Sequence, residues 1–361
     1  MDRGNFDKLN PLHVVFLIQN ILIGAGLLSL PHTLSPAGYN GWWVTLVMGA
    51  AAQITLLPMI FLCKRYPEDS IFTINQKLLG KILGNIANLL IIAYSVVSVA
   101  GISESYIRLV QSVVITEHSN TVPLLFFFIV MVYITLGGIK SVARFCMLGF
   151  VFTGWMAYYL QWAFQKGDIT HVFPLFNVSI GEVVEAVHAS YLNVLGYELI
   201  LVFYPYIIQK GRALKHASLG IWITIGFYLV TTFGGVVYFN TWQLENIRYP
   251  ILNLFKAVEL TFIERIENFT IALWVFLILS SATAYLWAAR KGFDILFPAS
   301  KNFHVYLAAV MAYILIKGPL PAEIQDKLFV EWTIFSGYCV VLWPILLLLV
   351  HFIRKPKVTN L

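Results

Sequence analysis

The sequence predicts an all-α integral membrane protein with ten transmembrane helices, on three observations. Of 361 residues, 59% are hydrophobic and 12% are charged, about half the charged share of roughly 25% in soluble chains. The mean hydropathy is +0.78, and a soluble domain of this composition would lack the polar surface to cover itself. Ten apolar stretches recur, most of them near the roughly 20 residues that a spanning helix needs: 12–34, 41–63, 84–115, 122–138, 143–164, 186–208, 217–239, 266–289, 303–317 and 328–353. Aromatic residues make up 15%, including 10 Trp and 18 Tyr, as suits rings at a lipid–water boundary. Disorder, a fibrous repeat, a disulfide scaffold and a soluble enzyme are excluded.

Taken in order, the first stretch reads as a span rather than a cleaved signal. Asp2 and Asp7 accompany Arg3 and Lys8, and the apolar run ends at Leu30-Pro31 without a small-residue cleavage site. The fourth and ninth stretches are the shortest, and they fall at the same place in each half of five. One membrane domain, 1–361, is expected, with repeat one over about 12–164 and repeat two over about 186–353. Lys and Arg divide unevenly between the connections, with 17 on the side of both termini, 6 on the other and Arg108 inside the third stretch. Positive residues favour the cytoplasm, so both termini are expected there. The net charge of +6 follows from topology and needs no nucleic-acid partner. Two longer outer connections cover about 165–185 and 240–265, and helical spacing over 251–260 predicts a short helix lying on the outer face. Cys63, Cys146 and Cys339 are odd in number and widely spaced, which fits small apolar fillers rather than disulfides or a metal site.

Candidate chemistry lies where spans are interrupted. The first stretch contains Ile23-Gly24-Ala25-Gly26-Leu27, followed by Pro31. Each glycine weakens a helix interior by roughly 1 kcal/mol. Gly-Ala-Gly can therefore open the chain, or alternatively let helices pack closely. The sixth stretch reads Tyr191-Leu192-Asn193-Val194-Leu195-Gly196-Tyr197-Glu198, with Pro205 downstream. Breaks at corresponding positions of two five-helix halves point to an inverted-repeat transporter with its site between them. Glu198 is a carboxylate within a span, which is costly and often functional. It could receive an ammonium group, shuttle a proton, hydrogen-bond unwound backbone or brace a neighbouring helix. Glu104 and Arg108 lie four apart and share a face of the third stretch, as an internal ion pair or as a gate. Gly101 and Glu104 of the third stretch, with Ser280, Ser281 and Thr283 of the eighth, would complete the wall, although such hydroxyls often bond back to their own helix. Glu264, Arg265 and Glu267 open the eighth stretch, as a clamp on the outer loop or a partner, or as a solvated helix start. No metal-ligand cluster, phosphate-binding loop or supported Ser/His/Asp set is legible, so neither a cofactor, a metal nor catalysis is expected.

These motifs resemble a known family. Gly24-Ala25-Gly26-Leu27-Leu28-Ser29-Leu30-Pro31 is similar to the first-helix signature of the bacterial spore-germination permeases. Those proteins are the B subunits of Ger-type germinant receptors, within the amino acid–polyamine–organocation superfamily. Leu195-Gly196-Tyr197-Glu198 resembles their sixth-helix break, and Phe262-Ile263-Glu264-Arg265-Ile266-Glu267 their motif leading into the eighth helix. Glu104 sits where the family places a third-helix acidic residue. The resemblance covers nearly the whole chain. It implies a leucine-transporter-like 5+5 inverted repeat with broken first and sixth helices. It further implies a receptor subunit that senses a small germinant, often an amino acid, in the inner membrane of a dormant spore. The implied partners are a larger membrane A subunit and a lipoprotein C subunit. The expected site holds the germinant's carboxylate on N–H groups near Gly24–Leu27, and its ammonium group on carbonyls near Asn193–Tyr197 with Glu198. The alternatives are a proton-coupled amino acid transporter and an ion or water channel.

Overall fold

The computed structural model describes residues 7–24, 26–113, 119–258, 266–297 and 301–354. Among these, the regular structure is helical, apart from an isolated parallel bridge between Leu9 and Ile207. The main helices are α1 (Pro11–Ile23), α2 (Gly41–Arg65), α3 (Lys81–Val113), α4 (Thr121–Leu136), α5 (Gly138–Thr153), α6 (Ile180–Ala189), α7 (Ala213–Tyr238), α8 (Ile266–Leu296), α9 (Lys301–Lys317) and α10 (Thr333–Arg354). They fall within or beside the ten predicted stretches. Six of the helices are long and apolar enough to cross a membrane. A seventh span is the pair Ile180–Ala189 and Tyr191–Tyr206, bent by 65°. The segments in α1, α4 and α9 are shorter apolar helices.

Local chemistry sets the ends of α1. The Asn10 side chain accepts the His13 N–H, and the Asn10 N–H donates back to the His13 ring. Pro11, which has no N–H to leave unpaired, opens the helix. Leu9 then anchors the chain to the far end of the sixth span: its N–H donates to the Tyr206 carbonyl at 2.8 Å, and its carbonyl accepts the Ile208 N–H at 3.0 Å.

The most extensive contacts join α3 to α8 and α2 to α7, equivalent helices of the two halves. The shortened α1 is central and packs on α5, α7 and α8. In lipid, such contacts rest on close packing and interhelical hydrogen bonds rather than on the hydrophobic effect.

The structure departs from the expected elements in three places. The fifth stretch is not one continuous helix: after α5 the chain tightens into a 3₁₀ segment, Gly154–Leu160, before the short helix Gln161–Lys166. The tenth stretch opens on a π-helical turn, Lys327–Trp332. The connection between α2 and α3, read as a loop, holds an amphipathic helix, Ile71–Leu79. It is pinned by Asn75, whose amide donates to Asn88 and accepts the Trp343 ring N–H, both at 2.9 Å. Of the short helix expected over 251–260, Pro250–Phe255 is helical and 259–260 lie outside the described residues; a second helix, Thr241–Asn246, precedes it.

Candidate functional site

The first break begins at Gly24. Its backbone, at φ 40° and ψ −139°, leaves the helical region and ends α1. The chain continues as a 3₁₀ turn, Gly26–Leu28, then the four-residue helix Leu30–Thr33 and a second 3₁₀ segment, Ser35–Asn40. Ala25 lies outside the described residues. The second break follows α6: a 3₁₀ turn over Tyr191–Val194, Leu195 extended, and Gly196 at φ 133° before the turn Tyr197–Leu199.

The two breaks interlock. A Cβ on Gly196 would lie 2.5 Å from Cγ2 of Ile21, and a Cβ on Gly26 would lie 1.9 Å from the Asn193 side-chain oxygen. Only glycine permits this approach, and at Gly196 only glycine adopts the backbone without strain. Broken helices free carbonyls that lipid cannot satisfy, and neighbouring helices meet them here. The buried Tyr228 hydroxyl of α7 sits 2.7 Å from the Leu22 carbonyl and 2.6 Å from that of Asn193, so one side chain ties both breaks. The Trp274 ring N–H donates to the Gly24 carbonyl at 3.2 Å. Ser281 lies 3.2 Å from the Asn20 and Ile21 carbonyls.

Beside this crossing is a cavity of about 510 Å³. Its floor is Gly24, Gly26, Asn193, Ser281 and Tyr285, and Ser29 and Thr33 add hydroxyls. Ile102, Leu192, Leu195, Phe329 and Val330 supply apolar wall. Its mouth is charged, with Glu104, Arg108, Arg248 and Asp326. Arg108 donates to Glu104 at 2.8 and 3.0 Å and pairs with Asp326 at 2.9 Å. Glu104–Arg108 is thus an internal pair of α3 and also part of a bridge to the short helix Ala322–Asp326. His32, next to the first break, lies 2.8 Å from the Leu244 carbonyl and ties the short helix Thr241–Asn246 to the cavity lining.

Of the predicted site residues, Ile23, Gly24, Gly26, Gly101, Glu104, Asn193 and Ser281 line this cavity, as does Arg108. Leu27 borders a separate small void of about 30 Å³. Ser280 and Thr283 turn back to their own helix, donating to the Phe276 and Leu279 carbonyls at 2.7 Å. Tyr197 bonds Thr55 of α2 at 2.6 Å. Glu198, 1% exposed, accepts the Tyr94 and Tyr285 hydroxyls on one oxygen, both at 2.8 Å, and the Gly196 N–H on the other at 2.6 Å. It therefore holds the unwound backbone, and it borders a void of about 10 Å³ on the side of Val340 and Trp343. Glu267 is in the first turn of α8. Glu264 and Arg265 lie outside the described residues. Sequence reasoning missed Tyr228, Trp274, Tyr94 and Tyr285. A polar-tipped ring inside an apolar span was the available signal, but the chain has too many for it to select these.

Two discontinuous helices at equivalent positions of two five-helix halves, crossing beside a cavity, define the leucine-transporter-like class of membrane protein. The fold is shared with the crystal structure of MhsT in complex with L-phenylalanine: the TM-score is 0.61, at 14% identity, over 94% of this chain and 98% of that one. Within that class, the family model described as spore germination protein matches residues 8–325, and the chain belongs to that family. It is 26% identical to spore germination protein GerQB of Bacillus cereus, over 79% of each chain. It is 24% identical to spore germination protein A2 of Bacillus subtilis (strain 168), over 98% of each. Spore germination protein B2 of the same strain is 22% identical over 94% of each.

Proposed function

We propose that this chain is a germinant-sensing receptor subunit that binds a small amino acid in the cavity between its two helix breaks. The observation that carries this reading is the cavity floor, built from both breaks at once. A ligand there touches the two segments whose relative position distinguishes one conformation from another. Binding alone signals nothing unless it favours one state, and this location supplies the differential contact. Backbone of the first break, with Ser29 and Thr33, suits a carboxylate, since half-helix ends favour anions. The Asn193 side chain offers an acceptor, and the apolar wall suits a small side chain. Glu198 is already spent on Gly196 and two tyrosines, so the ammonium group is assigned to Asn193 and to the acidic groups toward the mouth.

The charge bias of the connections supports cytoplasmic termini and a cavity open to the outer side. Family membership supports residence in the spore inner membrane and assembly with a larger membrane A subunit and a lipoprotein C subunit. The whole chain is taken as one membrane domain, with halves over about 12–164 and 186–353.

The test is a thermal-shift screen of the purified full-length chain against the L-amino acids, followed by direct binding of radiolabelled hits. At least one amino acid should stabilise the protein, and Gly26→Val and Asn193→Ala should weaken its binding. No stabilising amino acid, or unchanged affinity in both variants, would sink this site. Uptake into proteoliposomes then separates a transporter from a receptor.

A further inference from the structure

The proposed site leaves Glu198 without a task beyond bracing, yet its surroundings are unusual for a buried carboxylate. Taking an isolated carboxylate out of water is expensive unless a cation or a proton neutralises it. Among the described residues, the titratable groups facing Glu198 are all tyrosines. Tyr94 comes from α3 and Tyr285 from α8, and Tyr191 and Tyr197 belong to its own segment. The α10 side presents Val340 and Trp343. The three donors that reach it, two hydroxyls and the Gly196 N–H, are neutral.

These same atoms satisfy the protonated acid as well. A protonated Oε1 donates to one tyrosine oxygen, and that tyrosine's own hydrogen turns elsewhere. Tyr94 is enclosed, but Tyr285 also lines the main cavity, so its hydrogen has somewhere to go. The Gly196 N–H bond to Oε2 is kept in both states, and the break survives the change.

We propose that Glu198 is a proton-binding site loaded from the cavity through the Tyr285 hydroxyl. A proton from cavity water bonds the Tyr285 oxygen as the phenolic O–H passes its hydrogen to Glu198 Oε1. O–H bonds form at the Tyr285 oxygen and at Glu198 Oε1, while one breaks at a hydronium ion in the cavity, which is left as water, and one breaks at Tyr285. The net result is a neutral Glu198 and a neutral Tyr285 whose hydrogen now faces the cavity. Acid loading thus removes the charge at the sixth break and gives the cavity floor a new donor. This inference holds whatever the cavity binds, and it assigns a chemical link between the cavity and the sixth helix.

The test uses infrared difference spectra of the purified full-length protein, acid minus neutral, in water and in D₂O. Subtracting the Glu198→Gln spectrum from that of the wild type, which cancels the 17 other side-chain carboxyl groups, should leave a protonated-carboxyl stretching band that moves in D₂O. After a pH jump, Tyr285→Phe should slow the rise of the band about tenfold, the consequence of losing about one hydrogen bond's worth of barrier lowering. Tyr94→Phe removes an equivalent hydroxyl from the same oxygen and should leave the rate near wild type, which controls for general loosening. Identical carboxyl bands in wild type and Glu198→Gln, while both proteins stay monodisperse, overturn the proton site. Equal rates in Tyr285→Phe and wild type overturn the route, and would place entry at the void near Trp343.

Discussion

Adding one methyl group at Gly196 tests the interlocked breaks most directly. At φ 133°, a side chain strains the backbone, at about 1–3 kcal/mol. The new Cβ would lie 2.5 Å from Ile21 Cγ2 and 3.1 Å from the Ile21 carbonyl carbon. Overpacking of that kind costs about 1–3 kcal/mol more. Lower entropy in the unfolded chain returns about 0.4–1 kcal/mol, which leaves a net loss of about 1–6 kcal/mol. Gly226→Ala is the matched control: an added Cβ on this α7 glycine meets nothing within 4 Å. It should be neutral or stabilising by up to about 1 kcal/mol. The assay is the thermal unfolding midpoint of the purified protein, followed by intrinsic tryptophan fluorescence. Ile21→Ala in both backgrounds completes a double-mutant cycle, and a coupling of about 1–3 kcal/mol is expected because the two residues touch. If Gly196→Ala unfolds where Gly226→Ala does, or if the coupling vanishes, the breaks do not meet at Ile21 and the reasoning fails.

Three further outcomes are expected. Tyr228→Phe removes the hydroxyl between the Leu22 and Asn193 carbonyls and should lower stability by about 1–3 kcal/mol; an unchanged unfolding midpoint would mean the breaks are tied some other way. Arg108→Gln breaks the pairs to Glu104 and Asp326, but with side chains 33% and 58% exposed for Arg108 and Asp326, the loss should stay within about 1 kcal/mol and shrink at high salt; a loss well above that would show the mouth to be desolvated. With Cys339→Ser in place, a membrane-impermeant maleimide should label Trp242→Cys in intact cells and Lys64→Cys only after permeabilisation, and the reverse pattern would invert the topology.

Much of the fold was legible because membrane helices are written locally. Apolar length and the Gly24/Gly26 and Gly196 interruptions are properties of short windows. The missed elements are those that a window reads badly. Ile71–Leu79 is amphipathic and too short to span, so its face made sense only against Asn88 and Trp343. The fifth stretch is mostly apolar, and hydropathy cannot tell α-helix from the 3₁₀ segment at Gly154–Leu160.

The site divides in the same way. Ser280, Ser281 and Thr283 were equivalent as letters, but the helical turn sends two of them to their own carbonyls and only Ser281 across to α1. Arg108 found Glu104 at a spacing the sequence displays, whereas its second partner, Asp326, lies on the far side of the chain's second half.

By itself, the sequence determined a membrane protein of ten apolar segments, broken at two glycine-centred points, with a carboxylate beside the second. Tertiary structure alone decided which way that carboxylate faces. Glu198 turns from the cavity to Gly196, Tyr94 and Tyr285 because buried charge goes where donors converge. Those donors come from helices distant in sequence, and they meet only once the two halves have packed.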